Sequence, residues 1–422
     1  GLVTQPEVRP SFQTSNFEAI PFLTNFPNLD GDLSDWGRIR PLVLRHDNIR
    51  DPALKTEPIL VYAAWNYQGF FFGYHVRQPR MKFSLPSQYR IGADGVTLIK
   101  DPRISAHNKF VEGGDFFAVM FDTLDARLGF RGDPHAQEFY ILPRGTASDP
   151  DMPAAERVFA SRRHGKKDGD FGWGRRISQG KLFPPQPRSG PDGTGPYRVT
   201  RIEGDGYTVE IFLPRSIFKV PVFAPGWHVG FDCYVGTGKQ PFGSGARYAG
   251  KGWANRTSWP CSVGNNPARW GDLRLLGTDA RVSIQDAGPG WPRSTAIIPG
   301  HSYLITVVDP DRNVHLAAID TVLVSAEVID VAPTAAAAPR ASDVELYVLK
   351  ETGKNTSIFR GYINTQPGSG ASVRGSLELL PGAEARFGYV DFADSKGRRN
   401  VICQLKLPVI APALNVARYG PE

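Results

Sequence analysis

The segment Gly252-Trp253-Ala254-Asn255-Arg256-Thr257-Ser258-Trp259 places two indoles, an amide and a guanidinium within eight residues. Those side-chain types suit a saccharide, which offers axial C–H groups to flat aromatic faces and hydroxyls to planar polar groups. Trp173, flanked by Gly172 and Gly174, is a candidate for an opposing face. Trp173, Trp253, Asn255, Arg256 and Trp259 therefore form the candidate carbohydrate-binding set. The competing reading is that these rings seal long loops onto a core or contact a partner protein. Asp30, Asp32 and Asp35 crowd one turn, and Asp122 with Asp125 follows an apolar run. Clustered oxygens of this kind suit a structural calcium ion, while the alternative role of Asp at such places is to cap a turn. Cys233 and Cys261 are a candidate disulfide pair that would leave Cys403 over, the alternative being buried thiols.

Signatures of catalysis are missing from the sequence. It has no nucleophile elbow, no His-Glu-x-x-His zinc motif, no phosphate loop and no clustered Cys/His set. The expectation is a non-catalytic protein. The net charge of +7 comes with a basic stretch holding Arg157, Arg162, Arg163, Lys166, Lys167 and Arg175. That stretch is interleaved with Gly and Asp and matches no nucleic-acid-binding module, so it reads as a solvated loop and no nucleic-acid partner is expected. No apolar run approaches the ~18 residues of a transmembrane helix. Because the sequence starts at Gly1 without Met or a signal segment and holds three cysteines, an exported protein is expected, extracellular, at the cell surface or periplasmic.

The elements that must position these groups read as strands. A chain of 422 residues exceeds one ordinary core, and 45 glycines, 36 prolines and 25 phenylalanines suit short strands joined by many turns. Ile59 to Trp65 and Gly69 to Val76 read as a hairpin across a short Asn-Tyr-Gln turn. Further strands are expected at Phe116 to Phe121, Glu138 to Leu142, Tyr207 to Leu213, His228 to Val235 and Leu273 to Leu276. After Gly277 the strands become shorter and more regular, from Ala280 to Ile284 through Val401 to Leu405. The expected fold is all-β, two β-sandwiches at 26–277 and 278–405, with extended arms at 1–25 and 406–422. The arms are rich in proline and apolar groups, notably Phe12, Phe17 and Phe22 on one and Ile410 and Leu414 on the other. They are expected to be held by contacts outside their own domains, chiefly with other protein subunits of a homo- or hetero-assembly.

Several motifs add a resemblance. Leu29-Asp30-Gly31-Asp32-Leu33-Ser34-Asp35-Trp36 is similar to the opening of family 9 carbohydrate-binding modules and their DOMON-like relatives. Ala63-Ala64-Trp65-Asn66, Gly114-Asp115 leading to Asp122-Thr123, Gly206-Tyr207-Thr208-Val209-Glu210-Ile211 and Trp270-Gly271-Asp272-Leu273 follow in the family's order. Asn66 stands where an Asp is common in the family. The resemblance implies a sugar-binding scaffold over residues 26–277, part of whose site is built beside the closing strand, and it implies structural calcium. Some relatives of the fold bind haem b through Met and Lys; Met120, Lys82, Lys100 and Lys109 are the corresponding candidates here, and haem is not expected. In the second part, Glu351 to Gly361, Asp309-Pro310-Asp311-Arg312-Asn313 and Tyr389-Val390-Asp391 resemble the immunoglobulin-like repeat of large bacterial surface proteins. Together these features imply a structural or binding subunit of an assembly, with glycan recognition of a cell-wall or extracellular polysaccharide as the alternative.

Overall fold

The computed structural model describes residues 17–25, 27–47, 58–77, 89–91, 98–100, 115–127, 135–141, 143, 154–158, 169–173, 177–178, 181–182, 197–220, 222–237, 250–253, 267–287, 290–330, 340–368 and 375–412. Among them there is no α-helix, and no helix long and apolar enough to cross a membrane. The chain divides into two compact units, Gly1–Leu276 and Gly277–Glu422.

The first unit contains strands β1 (Phe17–Ile20), β2 (Leu42–Leu44), β3 (His46–Asp47), β4 (Ile59–Asn66), β5 (Gly69–Arg77), β6 (Tyr89–Ile91), β7 (Leu98–Lys100), β8 (Asp115–Asp122) and β9 (Ala136–Ile141). It continues with β10 (Ala154–Val158), β11 (Gly169–Trp173), β12 (Ile177–Ser178), β13 (Lys181–Leu182), β14 (Tyr197–Glu203), β15 (Gly206–Pro214), β16 (His228–Thr237), β17 (Gly250–Gly252) and β18 (Gly271–Leu275). One sheet runs β1-β18-β16-β8-β9-β10-β11, with β17 added to β16 and β3 to β17. The other runs β14-β15-β5-β4-β2. Phe70, Phe72 and Tyr74 alternate on the inner face of β5 and meet the first sheet across an aromatic layer, Phe70 on Phe121 at 4.7 Å, Phe72 on Phe231 at 6.1 Å and Tyr74 on Phe117 at 5.2 Å. This is a β-sandwich. Strands β8 and β15 are buried along their whole length, which explains their nearly unbroken apolar runs where a one-sided strand would alternate.

The N-terminal segment departs from the expectation of an arm held by contacts outside its own domain. β1 pairs in parallel with β18, from Phe17↔Asp272 to Ile20↔Leu275, and so forms an edge of the unit's own sheet. Phe22 then sits edge-on to Trp65 at 5.2 Å and to Tyr67 at 5.4 Å, while the Trp65 N–H donates to the Pro21 carbonyl. Backbone pairing therefore holds Phe17, whose ring stays exposed, and ring contacts inside the unit hold the partly buried Phe22. Phe12 lies outside the described residues.

The second unit contains β19 (Arg281–Asp286), β20 (Ser302–Val308), β21 (Thr321–Asp330), β22 (Arg340–Glu351), β23 (Ile358–Pro367), β24 (Ser376–Leu379), β25 (Glu384–Ala393) and β26 (Arg399–Pro408). Their order is β19-β20-β23-β22-β21-β25-β26, with β24 on β23. Only Lys350↔Arg360 and Glu351↔Phe359 join β22 to β23, so the sheet turns a corner there. Its halves close on one core, Tyr303, Ile305, Phe359 and Ile363 from one side and Val324, Leu349, Phe387 and Leu407 from the other. The C-terminal segment is likewise tied to its own unit, because Val409 bridges Ile297 and the Ile410 N–H donates to the Ile297 carbonyl at 2.9 Å. The Ile410 side chain remains exposed. Leu414 lies outside the described residues.

Candidate functional site

The outer face of the β14-β15-β5-β4-β2 sheet is half covered and half open. The covering piece is the Leu29–Trp36 segment. Asp30 accepts from the Asp32 N–H at 2.8 Å and from the Asn28 amide at 2.7 Å. Asp32 accepts from the Ser34 N–H at 2.9 Å and caps the 3-10 turn Leu33–Trp36; that bond holds its carboxyl below the usual range. Both carboxylates are thus engaged as turn caps, and Asp35 is exposed in the first turn.

The turn delivers Trp36 onto the sheet over Gly73, where an added Cβ would lie 2.9 Å from both the indole and Leu33. Glycine is what allows the ring to lie flat there. Trp36 Nε1 donates to Glu210 Oε1 at 2.8 Å and the Gly31 N–H donates to Glu210 Oε2 at 2.5 Å. Burial pushes the Glu210 carboxyl above its ordinary value, with the Trp36 bond working against it. Trp36, Ala64, Phe71 and Phe212 form a small apolar cluster under this plug.

Beside the plug the sheet face opens into a cleft of about 540 Å³ lined by Asp32, Tyr62, His75, Arg77, Glu203 and Thr208, among others. Register explains the grouping. Tyr62 lies opposite Gly73 and His75 opposite Thr208, so residues from β4, β5 and β15 share one face, and Glu203 reaches it from the end of β14. Tyr62 tilts against Trp36 at 6.1 Å. His75 Nε2 stands 3.6 Å from Glu203 and is shielded from solvent without a hydrogen-bond partner. Donor atoms of His75, Glu203 and Asp205 lie within 4.8 Å of one another. An aromatic wall beside converging planar polar groups is suited to a polyhydroxylated ligand.

Asp32 is the candidate from sequence that lines this cleft. Trp253 is only 4% exposed, packs on Phe231 at 5.5 Å and donates its N–H to the Cys233 carbonyl at 3.0 Å. It presents no face to a ligand, because the bend after β17 folds it back over the sheet. Asn255, Arg256 and Trp259 lie outside the described residues, and Trp173 ends β11. Cys233 is a buried thiol and forms no disulfide; burial pushes its pKa well up, and it fills core space as a small apolar group would. Cys261 is outside the described residues. Met120 is buried in β8, Lys100 ends β7, and Lys82 and Lys109 are outside the described residues.

At the Asp122 and Asp125 pair the neighbouring positive charge is a guanidinium. The Arg127 side chain bonds Asp125, Asp272 and the carbonyls of Trp270 and Gly271, while the Arg127 backbone N–H donates to Asp122 at 2.8 Å. Burial pushes Asp125 up to about 6, with Arg127 opposing it. Replacing Arg127 by Ala leaves a set of largely buried acceptors without their cation, and we expect a loss of about 3–5 kcal/mol in the stability of the first unit, read by denaturant unfolding. A loss below ~1 kcal/mol would mean the network is solvated in solution.

In the second unit Asp309, Asp311 and Asp391 are buried with carboxylate oxygens within 4.8 Å of one another. Tyr389 donates its hydroxyl to Asp309 at 2.5 Å, the Thr278 N–H donates to Asp311 at 2.7 Å and the Ala280 N–H to Asp391 at 3.1 Å. Burial pushes Asp311 up to about 9, aided by the charge of Asp309, and burial pushes Asp391 up to about 6.

Sequence reasoning missed Tyr62, His75, Arg77 and Glu203. A faint signal existed: His75 and Arg77 alternate with Tyr74 and Val76 at the end of an otherwise apolar strand, the period-two mark of a polar outer face.

No protein-family model matches the chain, and no curated protein matches it. Among solved structures the chain is similar to a family 9 carbohydrate-binding module from Caldicellulosiruptor kristjanssonii in complex with cellotriose, at 15% identity and a TM-score of 0.37, covering 63% of this chain and 95% of that one. It is similar also to a family 9 module from the same organism in complex with glucose, at 14% identity and a TM-score of 0.37, covering 63% of this chain and 97% of the other.

Proposed function

We propose that the chain is a non-catalytic, exported binding subunit whose first unit recognises a saccharide in the cleft beside Trp36. The observation that carries this reading is the open cleft of about 540 Å³ that brings Tyr62 together with His75, Arg77 and Glu203. The polar side chains would take ligand hydroxyls, and the exposed part of Tyr62 would supply the flat face. A structural role within an assembly remains part of the proposal, but the described parts of the two arms give it no support, since they pack on their own units. Glycan recognition therefore moves ahead of assembly.

The test is a glycan array followed by calorimetric titration of the best hit. Replacing Tyr62 by Ala should weaken binding by about 1–2 kcal/mol, roughly tenfold, and His75→Ala should do the same, while Trp253→Phe should leave affinity unchanged. No saccharide bound at millimolar concentration, or full affinity in both cleft variants, would sink this reading.

A further inference from the structure

Strands β22, β21, β25 and β26 bury one face in the second unit's core and turn the other to solvent. That outer face carries a band of large apolar side chains where a solvated sheet face should be polar. Val344, Leu346 and Val348 alternate along β22, Leu323 lies on β21, Val390 on β25 and Ile402 on β26, and these six are 45 to 69% exposed. Register lines four of them up. Leu323 is opposite Val348, Val390 is opposite Ile402, and continuing the antiparallel pairing from Val324↔Tyr389 sets Leu323 beside Val390. A continuous apolar ladder therefore crosses four strands. Exposed patches of this extent mark interaction surfaces.

We infer that this face packs against the same face of a second copy of the chain, about a twofold axis running along the strands between β21 and β25. The pattern of the face is self-complementary about that line. Rotation places β22 of one copy over β26 of the other and β21 over β25, keeping each row of residues level. Val348 then meets Ile402, and Leu323 meets Val390. Two residues from the ladder lie Ser325 and Gly388, opposite one another on the axis; they are small enough to let two sheets approach to the usual ~10 Å. One row further, Glu327 lies opposite Arg386, so across the axis each acid faces the other copy's base. Val344 in that row meets Lys406, whose methylene stem covers apolar surface while its charge reaches the rim. No like charges are opposed in any of these rows.

With the next row, where Thr321 lies opposite Lys350, four alternate rows on four strands span roughly 19 Å by 27 Å, about 500 Å² of flat face, which side-chain relief raises toward the about 800 Å² that each partner brings to a standard stable interface. An isologous pairing of this kind closes as a dimer and leaves no repeating contact. The inference is independent of the saccharide cleft and stands or falls without it.

Sedimentation velocity of the full chain from ~1 µM to ~100 µM reads the outcome. The wild type should shift from monomer to dimer within that range. Ile402→Lys should remain monomeric, as should E327R and R386E each alone, with unchanged circular dichroism. Mixing the E327R chain with the R386E chain should restore a dimer, because each acid again meets a base across the axis. A wild type that stays monomeric at ~100 µM overturns the inference and gives the face to a different protein or to residues 413–422 of the same chain. A dimer that survives all three substitutions overturns it by placing the contact elsewhere, and a mixture that stays monomeric overturns the proposed axis.

Discussion

Replacing Trp36 by Ala should cost the first unit about 3–5 kcal/mol, the range for deleting a large aromatic from a packed site. The side chain is 1% exposed and closes the covered half of the sheet's outer face, where Phe71 of β5 and Phe212 of β15 are buried. Its loss uncovers Phe71 and Phe212, which stack at 4.9 Å beneath it. It also takes one of the donors from the buried Glu210 carboxylate. Trp36→Phe should keep most of the packing and lose chiefly the indole N–H bond, costing about 1.5–3 kcal/mol for a hydrogen bond to a charged group. Hydrogen exchange at the amides of β5 and β15 reads both variants. Equal protection in wild type and Trp36→Ala would show that the plug is an ornament on an already stable sheet.

The second unit should gain stability on acidification, an uncommon direction for a protein near neutral pH. A carboxyl whose pKa is higher folded than unfolded binds its proton more tightly in the fold. Its stabilisation is then fully present below the unfolded value, near 4, and is lost as pH rises through the folded value. For Asp311 that window runs from about pH 4 to about pH 9, and for Asp391 from about pH 4 to about pH 6. The surrounding groups shape the slope. Asp309 and Asp391 raise Asp311, Arg312 and the Tyr389 hydroxyl lower Asp309, and Asp394 adds negative charge near Asp391. Asp311→Asn keeps a carbonyl oxygen for the Thr278 N–H but cannot ionise. We expect it to stabilise the unit by on the order of 2–4 kcal/mol at pH 8 and by little at pH 4. Thermal midpoints of wild type and variant at pH 5 and pH 8 decide the matter. A difference between them that does not change with pH would place the ionised form of Asp311 in the native state throughout.

Period-two patterning made the strands legible. Ile59 to Trp65 and Gly69 to Val76 fall within β4 and β5, and Val401 to Leu405 falls within β26. Local alternation carries that information because each strand's faces are set by its own sequence. The N-terminal strand was not legible for the opposite reason. Phe17–Ile20 is four residues long, and its partner β18 lies at the far end of the unit, so only the tertiary pairing makes it a strand. Trp253 misled because a ring in a Gly-rich segment carries no mark of its burial. The cleft escaped notice because its groups come from β4, β5, β14 and β15 and converge only through register. Arg127 was missed for the same reason: the carboxylates near it were visible as a cluster, but not the guanidinium that bonds them.

The parallel pairing of β1 with β18 also bears on how the chain is made. β1 leaves the ribosome long before its partner β18, so its backbone donors and acceptors on that side stay unpaired while everything between is synthesised. A contact this distant in sequence forms late and slowly. Until Leu275 has emerged, the β18 position beside β16 is empty and that edge of the sheet is open to other strands. Nascent chains stalled before residue 270 should therefore bind holdase chaperones and resist refolding, whereas chains stalled well beyond it should close their first unit on their own.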